Sequence, residues 1–207
     1  TNAGDAALPP DVRAEQAALA VSQIDHLARL LQEILDLARI EAHAVSADRQ
    51  WVTAGAVVEA AAALAGPALS NHRLAVDANE DVELQLDPRL TSAALTHVLE
   101  NAATYSPPGS TITVTAAPVA EGLQLTVIDE GPGLQDQDME RLFQPFVRGT
   151  AGRRAPKGTG LGLAITRGLL AAEGGRIWAE RAPSGGARFS VVVPAAQRPV
   201  SVGEVRP

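Results

Sequence analysis

A chain of 207 residues, 46% apolar and 20% charged, has enough apolar side chain for one packed core and an appendage. Its formal net charge of -7 argues against a general nucleic-acid surface, and the absence of cysteine excludes disulfides, thiol catalysis and thiolate metal sites. The longest apolar stretch, over 54–69, is interrupted by Glu59, Gly66 and Pro67, so no segment reads as membrane-spanning. The chain opens on Thr1 and its one methionine is Met139, which is the expectation for a piece of a longer protein.

In chain order, 1–10 reads as a loose lead-in carrying Gly4, Pro9 and Pro10. Over 11–43 the pattern is helical: Ile24, Leu27, Leu31, Ile34 and Ala38 step by three and four, and Leu30 and Leu37 widen the stripe. One helix cannot bury such a stripe alone, so it requires a partner helix. Residues 44–50 read as a linker, 51–52 as a short strand and 54–64 as a helix. Residues 72–78 and 82–87 alternate as strands. Pro88 opens a helix that runs to Tyr105 and stops before Ser106-Pro107-Pro108-Gly109. Residues 111–117 and 123–129 read as neighbouring strands about a Glu121-Gly122 turn. A long irregular segment follows over 130–157, with one short helix near 138–142. A helix then runs to Glu173, and 176–180 and 187–193 form the last strands about Ser184-Gly185-Gly186. Residues 195–207 read as a disordered tail.

Four stretches carry chemistry. In "KGTGLGLAITRG", Gly158, Gly160 and Gly162 run straight into a helix, where outward N–H groups and the helix dipole suit a phosphate. A tight turn packed on a helix reads equally well, and the run matches neither a Walker loop nor a dinucleotide fingerprint. In "VIDEGPGL", Asp129 ends a strand and Gly131 and Gly133 follow; the carboxylate suits an exocyclic amine of a base, or merely caps a turn. In "THVLENAATYSPPG", His97, Asn101 and Tyr105 share a helix face, and an asparagine oxygen there suits Mg²⁺ or a bond within the fold. In "LFQPFVRG", Phe143 and Phe146 lie inside the irregular segment, as lid anchors or plain core, and Arg148 is placed to reach a phosphate.

The order of these four stretches resembles the ATP-binding domain of bacterial sensor histidine kinases, which shares its fold with gyrase and the mismatch-repair ATPases. The resemblance covers 51–194. Residues 14–42, ending "LLQEILDLARIEA", look like the second helix of that family's dimerisation and phosphoacceptor hairpin. The wording around 143–149 and Gly185-Gly186 is closest to the potassium-responsive, Kdp-type members. The resemblance implies an α/β (α+β) two-layer sandwich of the Bergerat type, with a mixed sheet packed by helices on one face and preceded by one long helix. It also implies ATP and Mg²⁺. Asp129 would bind the adenine amino group in a pocket shaped by Gly131 and Gly133, with Tyr105 beside the base. Asn101 would hold Mg²⁺ and phosphates, Lys157, Gly158, Thr159, Gly160, Leu161 and Gly162 would line the triphosphate, and Arg148 and His97 would act on the phosphates during transfer. The implied partners are a response regulator, the phosphoacceptor helix and a second copy of the full kinase, in the cytoplasm, with no nucleic acid and no direct membrane contact.

Two positions depart from the family pattern. His97 stands where most members have asparagine, and imidazole is a poor Mg²⁺ ligand, so it is expected on a phosphate or a metal-bound water. Thr104 replaces a common lysine. None of His26, His43, His72 and His97 has the Ser-His-Glu/Asp-Leu-Arg-x-Pro context of the phosphoacceptor, so autophosphorylation within this sequence is not expected. A gyrase-type water-activating glutamate would stand where His97 is. A non-catalytic pseudokinase or dimerisation module is the remaining alternative; intact Asp129, Asn101 and glycines argue against it. A serine kinase of the anti-sigma type would typically lack the long helix over 11–43.

Overall fold

The computed structural model describes residues 10–135, 139, 141–147 and 158–200. The long helix is present as α1 (Pro10–Glu41). It ends where the Ala44 N–H reaches back to the Arg39 carbonyl at 2.9 Å and His43 adopts a left-handed φ of 52°. Then follow β1 (Gln50–Thr53), α2 (Ala54–Leu69), β2 (Arg73–Ala78), β3 (Val82–Leu86) and α3 (Pro88–Tyr105). The second half comprises β4 (Thr111–Val119), β5 (Gly122–Ile128), α4 (Gly162–Ala172), β6 (Arg176–Arg181), β7 (Ala187–Pro194) and β8 (Ala196–Pro199).

Five strands form one mixed sheet in the order β2-β4-β5-β7-β6, with β2 and β4 parallel and the rest antiparallel. The strict alternation of β4 and β5 sorts the two faces. On one face Val114, Val127, Phe189 and Ala179 form a continuous cross-strand row, and Ala116, Leu125, Val191 and Ile177 form the next. On the other, Thr115, Thr126, Ser190 and Trp178 are paired. Helices α2, α3 and α4 cover only the apolar face, which makes the two-layer sandwich implied by the sequence. Each fully buried leucine here, such as Leu95, Leu99 or Leu125, contributes about 2–3 kcal/mol of transfer free energy.

Three local expectations are corrected. The tail over 195–207 is ordered in its first part: β8 pairs antiparallel with β3, and β1 takes the other side of β3, giving a second, three-stranded sheet. Every residue of β8 is exposed, so no apolar alternation marks it. Backbone pairing holds it, together with Arg198, whose Nε lies 2.6 Å from Glu83 Oε2 and whose guanidinium stacks 4.2 Å from the Trp51 ring centroid. The helix expected to stop at Leu64 continues to Leu69 because Ala65 and Leu69 are buried, and Pro67 forfeits only one bond in the last turn. Near 138–142, Met139, Arg141 and Leu142 form turns rather than a helix, since Pro145 removes a donor just beyond; Asp138 and Glu140 lie outside the described residues.

The linker over 44–50 is tied down at its end. The Asp48 N–H donates to Asp87 Oδ2 at 2.8 Å, and Arg49 donates to the Glu173 carbonyl at 3.0 Å. Asp87 is the N-cap of α3, accepting from the Arg89 and Leu90 amides. Glu173, just past α4, accepts the Asp87 N–H on Oε2 and the Thr91 hydroxyl on Oε1, each at 2.8 Å. Burial alone would raise the Asp87 carboxyl; amide bonds from Asp48, Leu90 and Arg89, with the Arg89 guanidinium, outweigh it and hold the group below its ordinary range. Burial pushes the Glu173 carboxyl up, against the two bonds it accepts.

Helix α1 docks on α4 only near its C-terminal end, through Leu37 and Ile40. Its outer stripe of Leu19, Ile24, Leu27, Leu31 and Ile34 stays between 48% and 66% exposed, uncovered among the described residues. No helix among the described residues is long and apolar enough to cross a membrane.

Because the Glu173 pKa is raised in the folded state, folding binds a proton above pH 4.5, the ordinary value, and the stability this group contributes falls as pH rises through the window between the two values. Glu173→Gln keeps an acceptor for the Asp87 amide and removes the charge. Its urea midpoint should therefore lose less than that of the unmodified chain as pH is raised from about 4.5 to 7.5, with Asp129, whose carboxyl burial also pushes up, still contributing a slope of the same sign.

Candidate nucleotide site

The face of α3 left uncovered by its own core stripe carries the first set of groups. Leu95, Val98, Leu99 and Ala102 are buried, and His97, Asn101 and Tyr105 beside them are half-buried. Four helical residues rise about 6 Å, so Asn101 stands one turn from His97 on one side and from Tyr105 on the other.

The end of α3 at Tyr105 lies against the turn that follows Asp129. The aspartate follows β5, is 2% exposed and accepts the Gly131 N–H at 2.8 Å and the Ala187 N–H at 3.0 Å, both on Oδ1. Its own N–H donates to the Ala187 carbonyl at 3.0 Å. Burial pushes its carboxyl up, while the two amide bonds pull it down. A Cβ on Gly131 would stand 2.9 Å from the Tyr105 carbonyl oxygen, so glycine is what lets the turn after Asp129 close against the end of α3. Gly133 has φ +76°, and a Cβ there would stand 2.4 Å from the Gly185 carbonyl.

The glycine run meets His97. Leu161 is fully buried and caps α4 without a side-chain bond of its own; its N–H donates to Thr159 Oγ1 at 3.1 Å. A Cβ on Gly162 would stand 3.5 Å from His97 Nδ1, so the start of α4 lies against the middle of α3. Gly160 has φ +75° and accepts the Phe146 N–H at 3.0 Å. The fold thus brings two groups together: Tyr105, Asp129, Gly131 and Gly133 at one end of the α3 face, and His97, Thr159, Gly160, Leu161 and Gly162 at the other. Asn101 stands between them. Arg148 and Lys157 lie outside the described residues, and among the described residues nothing beyond its chain neighbours comes within 4 Å of where a Cβ on Gly158 would stand.

The two phenylalanines divide. Phe143 is buried in the core, whereas Phe146 is 68% exposed with a left-handed φ of 62° and contributes through its backbone. The sequence placed Gly186 in a hairpin turn and in the Kdp-type wording, but gave it no part in the site. A Cβ there would stand 1.8 Å from the Asp129 carbonyl oxygen, so this glycine lets β7 approach the aspartate. A glycine pair at a hairpin gives no sign of which distant strand end it faces.

These residues fit a purine nucleotide with Mg²⁺. Gly131 and Gly133 let the turn after Asp129 lie against the end of α3 and the Gly185 carbonyl, where a Cβ would collide. Among the described residues no group of three or more His, Asp or Glu side chains is placed to hold a metal alone. Asn101 would supply one oxygen ligand, with phosphates and water completing the octahedron that Mg²⁺ prefers.

A mixed sheet with helices on one face, a buried carboxylate at a strand end and a glycine run at a helix start define an ATPase-type nucleotide-binding domain. The HATPase_c family model, described as histidine kinase-, DNA gyrase B- and HSP90-like ATPase, matches residues 86–197, more than half of the chain, and the chain belongs to that family. The sensor protein KdpD of Escherichia coli (strain K12) is 35% identical over 182 residues, 87% of this chain and 20% of that protein. The swarming motility regulation sensor protein RssA of Serratia marcescens is 33% identical over 188 residues, 89% of this chain and 40% of that protein. Full-length ShkA, solved in complex with AMPPNP, superimposes with a TM-score of 0.74 at 27% identity, covering 94% of this chain and 41% of that one. The mycobacterial sensor histidine kinase MprB gives a TM-score of 0.63 at 27% identity, covering 72% of this chain and 99% of that one. The chain spans between 19% and 52% of the length of the curated relatives it matches. The family model begins at Leu86, but β1 and α2 are built into the same sandwich, with Val57, Val58 and Ala61 in its core.

Gly186→Ala should lower stability by about 1–3 kcal/mol through forced overpacking on Asp129, read as a drop in urea midpoint.

Proposed function

We propose that this chain contains the ATP-binding catalytic part of a two-component sensor histidine kinase, occupying 51–199, with α1 as the second helix of a dimerisation and phosphoacceptor hairpin. The observation that carries the reading is Asp129. A carboxylate this buried is costly unless something is gained from it, and it stands where glycines bring separate backbone segments together, beside the end of α3 that carries Tyr105 and, one helical turn before it, Asn101. Oδ1 is held by two amides, so the side chain is fixed in orientation and is aimed as an acceptor for the exocyclic amine of adenine.

Each residue then has one task. Gly131 and Gly133 leave room for the plane of the base, and Tyr105 flanks it. Asn101 holds the metal against the phosphates. Thr159, Gly160, Leu161 and Gly162 offer backbone and hydroxyl groups to the triphosphate at the positive end of α4, with Gly158 and Lys157 ahead of them. His97, against Gly162, meets phosphate or a metal-bound water, and Arg148 steadies the γ-phosphoryl group. Phosphoryl transfer is catalysed mainly by positioning and charge neutralisation, and Mg²⁺ when bound supplies part of the neutralisation.

The acceptor is a histidine on the hairpin helix that partners α1, and the phosphoryl group passes from it to a response-regulator aspartate. In support, the curated relatives include sensor proteins and histidine kinases by name, and one solved neighbour was determined in complex with AMPPNP. The hairpin partner and a second kinase subunit would cover the exposed stripe of α1, on the cytoplasmic side of the membrane. Likeness to KdpD favours a Kdp-type sensor. Hydrolysis of the gyrase kind is disfavoured because His97 stands where that chemistry needs a glutamate.

Calorimetric titration with Mg·ATP tests the assignment. Asp129→Asn places a donor where the base needs an acceptor and should weaken binding about 10- to 100-fold, the worth of a charged hydrogen bond. Asn101→Ala should weaken Mg·ATP while leaving adenosine unchanged. Unaltered Mg·ATP affinity in Asp129→Asn, or no binding by the folded unmodified chain, overturns the reading.

A further inference from the structure

The proposed chemistry gives no role to Glu33, on α1 and far from the glycine run in sequence. Its Oε2 nevertheless accepts the hydroxyl proton of Thr159. Thr159 Oγ1 in turn accepts the Leu161 N–H, the amide at the cap of α4. Both hydrogen-bonding directions of this hydroxyl are therefore occupied from within the protein, and a carboxylate stands against the turn. The carboxylate is not carried there by a loose surface side chain. Glu33, Leu37 and Ile40 follow one another at i, i+4 and i+7 on one face of α1, and Leu37 and Ile40 pack on the core. Ile40 is seated where α4 has no side chain: a Cβ on Gly168 would stand 2.3 Å from Ile40 Cγ2. The seat fixes α1 on α4, and the seated α1 presents Glu33 to the turn.

We propose that this is an autoinhibitory contact, in which docked α1 holds the Glu33 carboxylate where the polyphosphate of a nucleotide must approach, so that docking of α1 and polyphosphate binding compete. The proposal rests on the nucleotide reading above. A polyphosphate needs the Thr159 hydroxyl and the Leu161 amide as donors, and both are engaged while α1 is docked. It also brings several negative charges beside a carboxylate in a partly desolvated setting, where like charges repel strongly. The coupling is reciprocal: what α1 takes from nucleotide affinity, nucleotide takes from α1 docking. Adenosine, which has no phosphates, lies outside the competition.

The test uses the full 207-residue chain, with calorimetric titration by Mg·AMPPNP and NMR titration by adenosine. Glu33→Gln keeps an acceptor for Thr159 and removes the charge. Gly168→Ala leaves Glu33 intact and displaces Ile40, in a helix that tolerates alanine. Each variant should bind Mg·AMPPNP about five- to tenfold more tightly, a typical size for coupling between two sites, with adenosine affinity unchanged. In the unmodified chain, saturating Mg·AMPPNP should speed amide exchange in the docked end of α1. Unchanged or weaker Mg·AMPPNP binding in either variant, or an equal gain for adenosine, overturns the proposal. If the unmodified chain binds both ligands and only these shifts are missing, the nucleotide reading stands and the contact is merely structural. If neither the unmodified chain nor Glu33→Gln binds either ligand, the nucleotide reading is what fails.

Discussion

The buried carboxylate of Glu173 sets the register of the two helices that frame the site. Glu173 follows α4, where the helix dipole disfavours a negative charge, yet it lies against the first turn of α3, where the dipole favours one. Its two oxygens take an amide and a hydroxyl from that turn, so the end of α4 is fixed to the beginning of α3. The helices therefore run antiparallel. From Asp87 to His97 the rise is about 15 Å, and from Glu173 back to Gly162 about 16 Å. This near-equality is why Gly162 arrives beside His97. A slip of one turn, about 5.4 Å, would carry the glycine run past its place opposite the asparagine face.

The same economy governs Asp129. Its position is fixed by three segments distant in sequence: its own strand, the glycine pair before β7, and the end of α3. Each approaches closely because a side chain is missing at Gly131, Gly133 or Gly186. The pocket is a place where backbones meet without side chains between them, and the aspartate is the polar group left facing inward.

Much of this was legible in the sequence, and the reason differs from element to element. The alternation of β4 and β5 and the proline-led apolar stripe of α3 are local patterns, and they placed those elements to within a residue or two. The mixed sheet with helices on one face followed from the family resemblance, and the same resemblance is what proposes Asp129, Asn101 and the glycines as one site. β8 was not legible because none of its side chains is buried; its partner, β3, lies far away in the chain. Glu173 reads locally as the polar end of an amphipathic helix, and only tertiary packing turns it inward. The exposure of Phe146 was hidden by the expectation that a scarce aromatic is buried, whereas here its backbone is what contacts Gly160.

The small sheet has a mechanical consequence. β1 and β8 run in the same direction on either side of β3, the start of β1 beside Leu86 and the end of β8 beside Val82. A pull that entered through α1 and left beyond β8 would draw these two strands apart lengthwise. Their hydrogen bonds to β3 would be loaded together in shear rather than opened one at a time. The tension would first meet the seat of α1 on α4 and the bonds of Asp48 and Arg49 to Asp87 and Glu173, and beyond those it would run through this sheet.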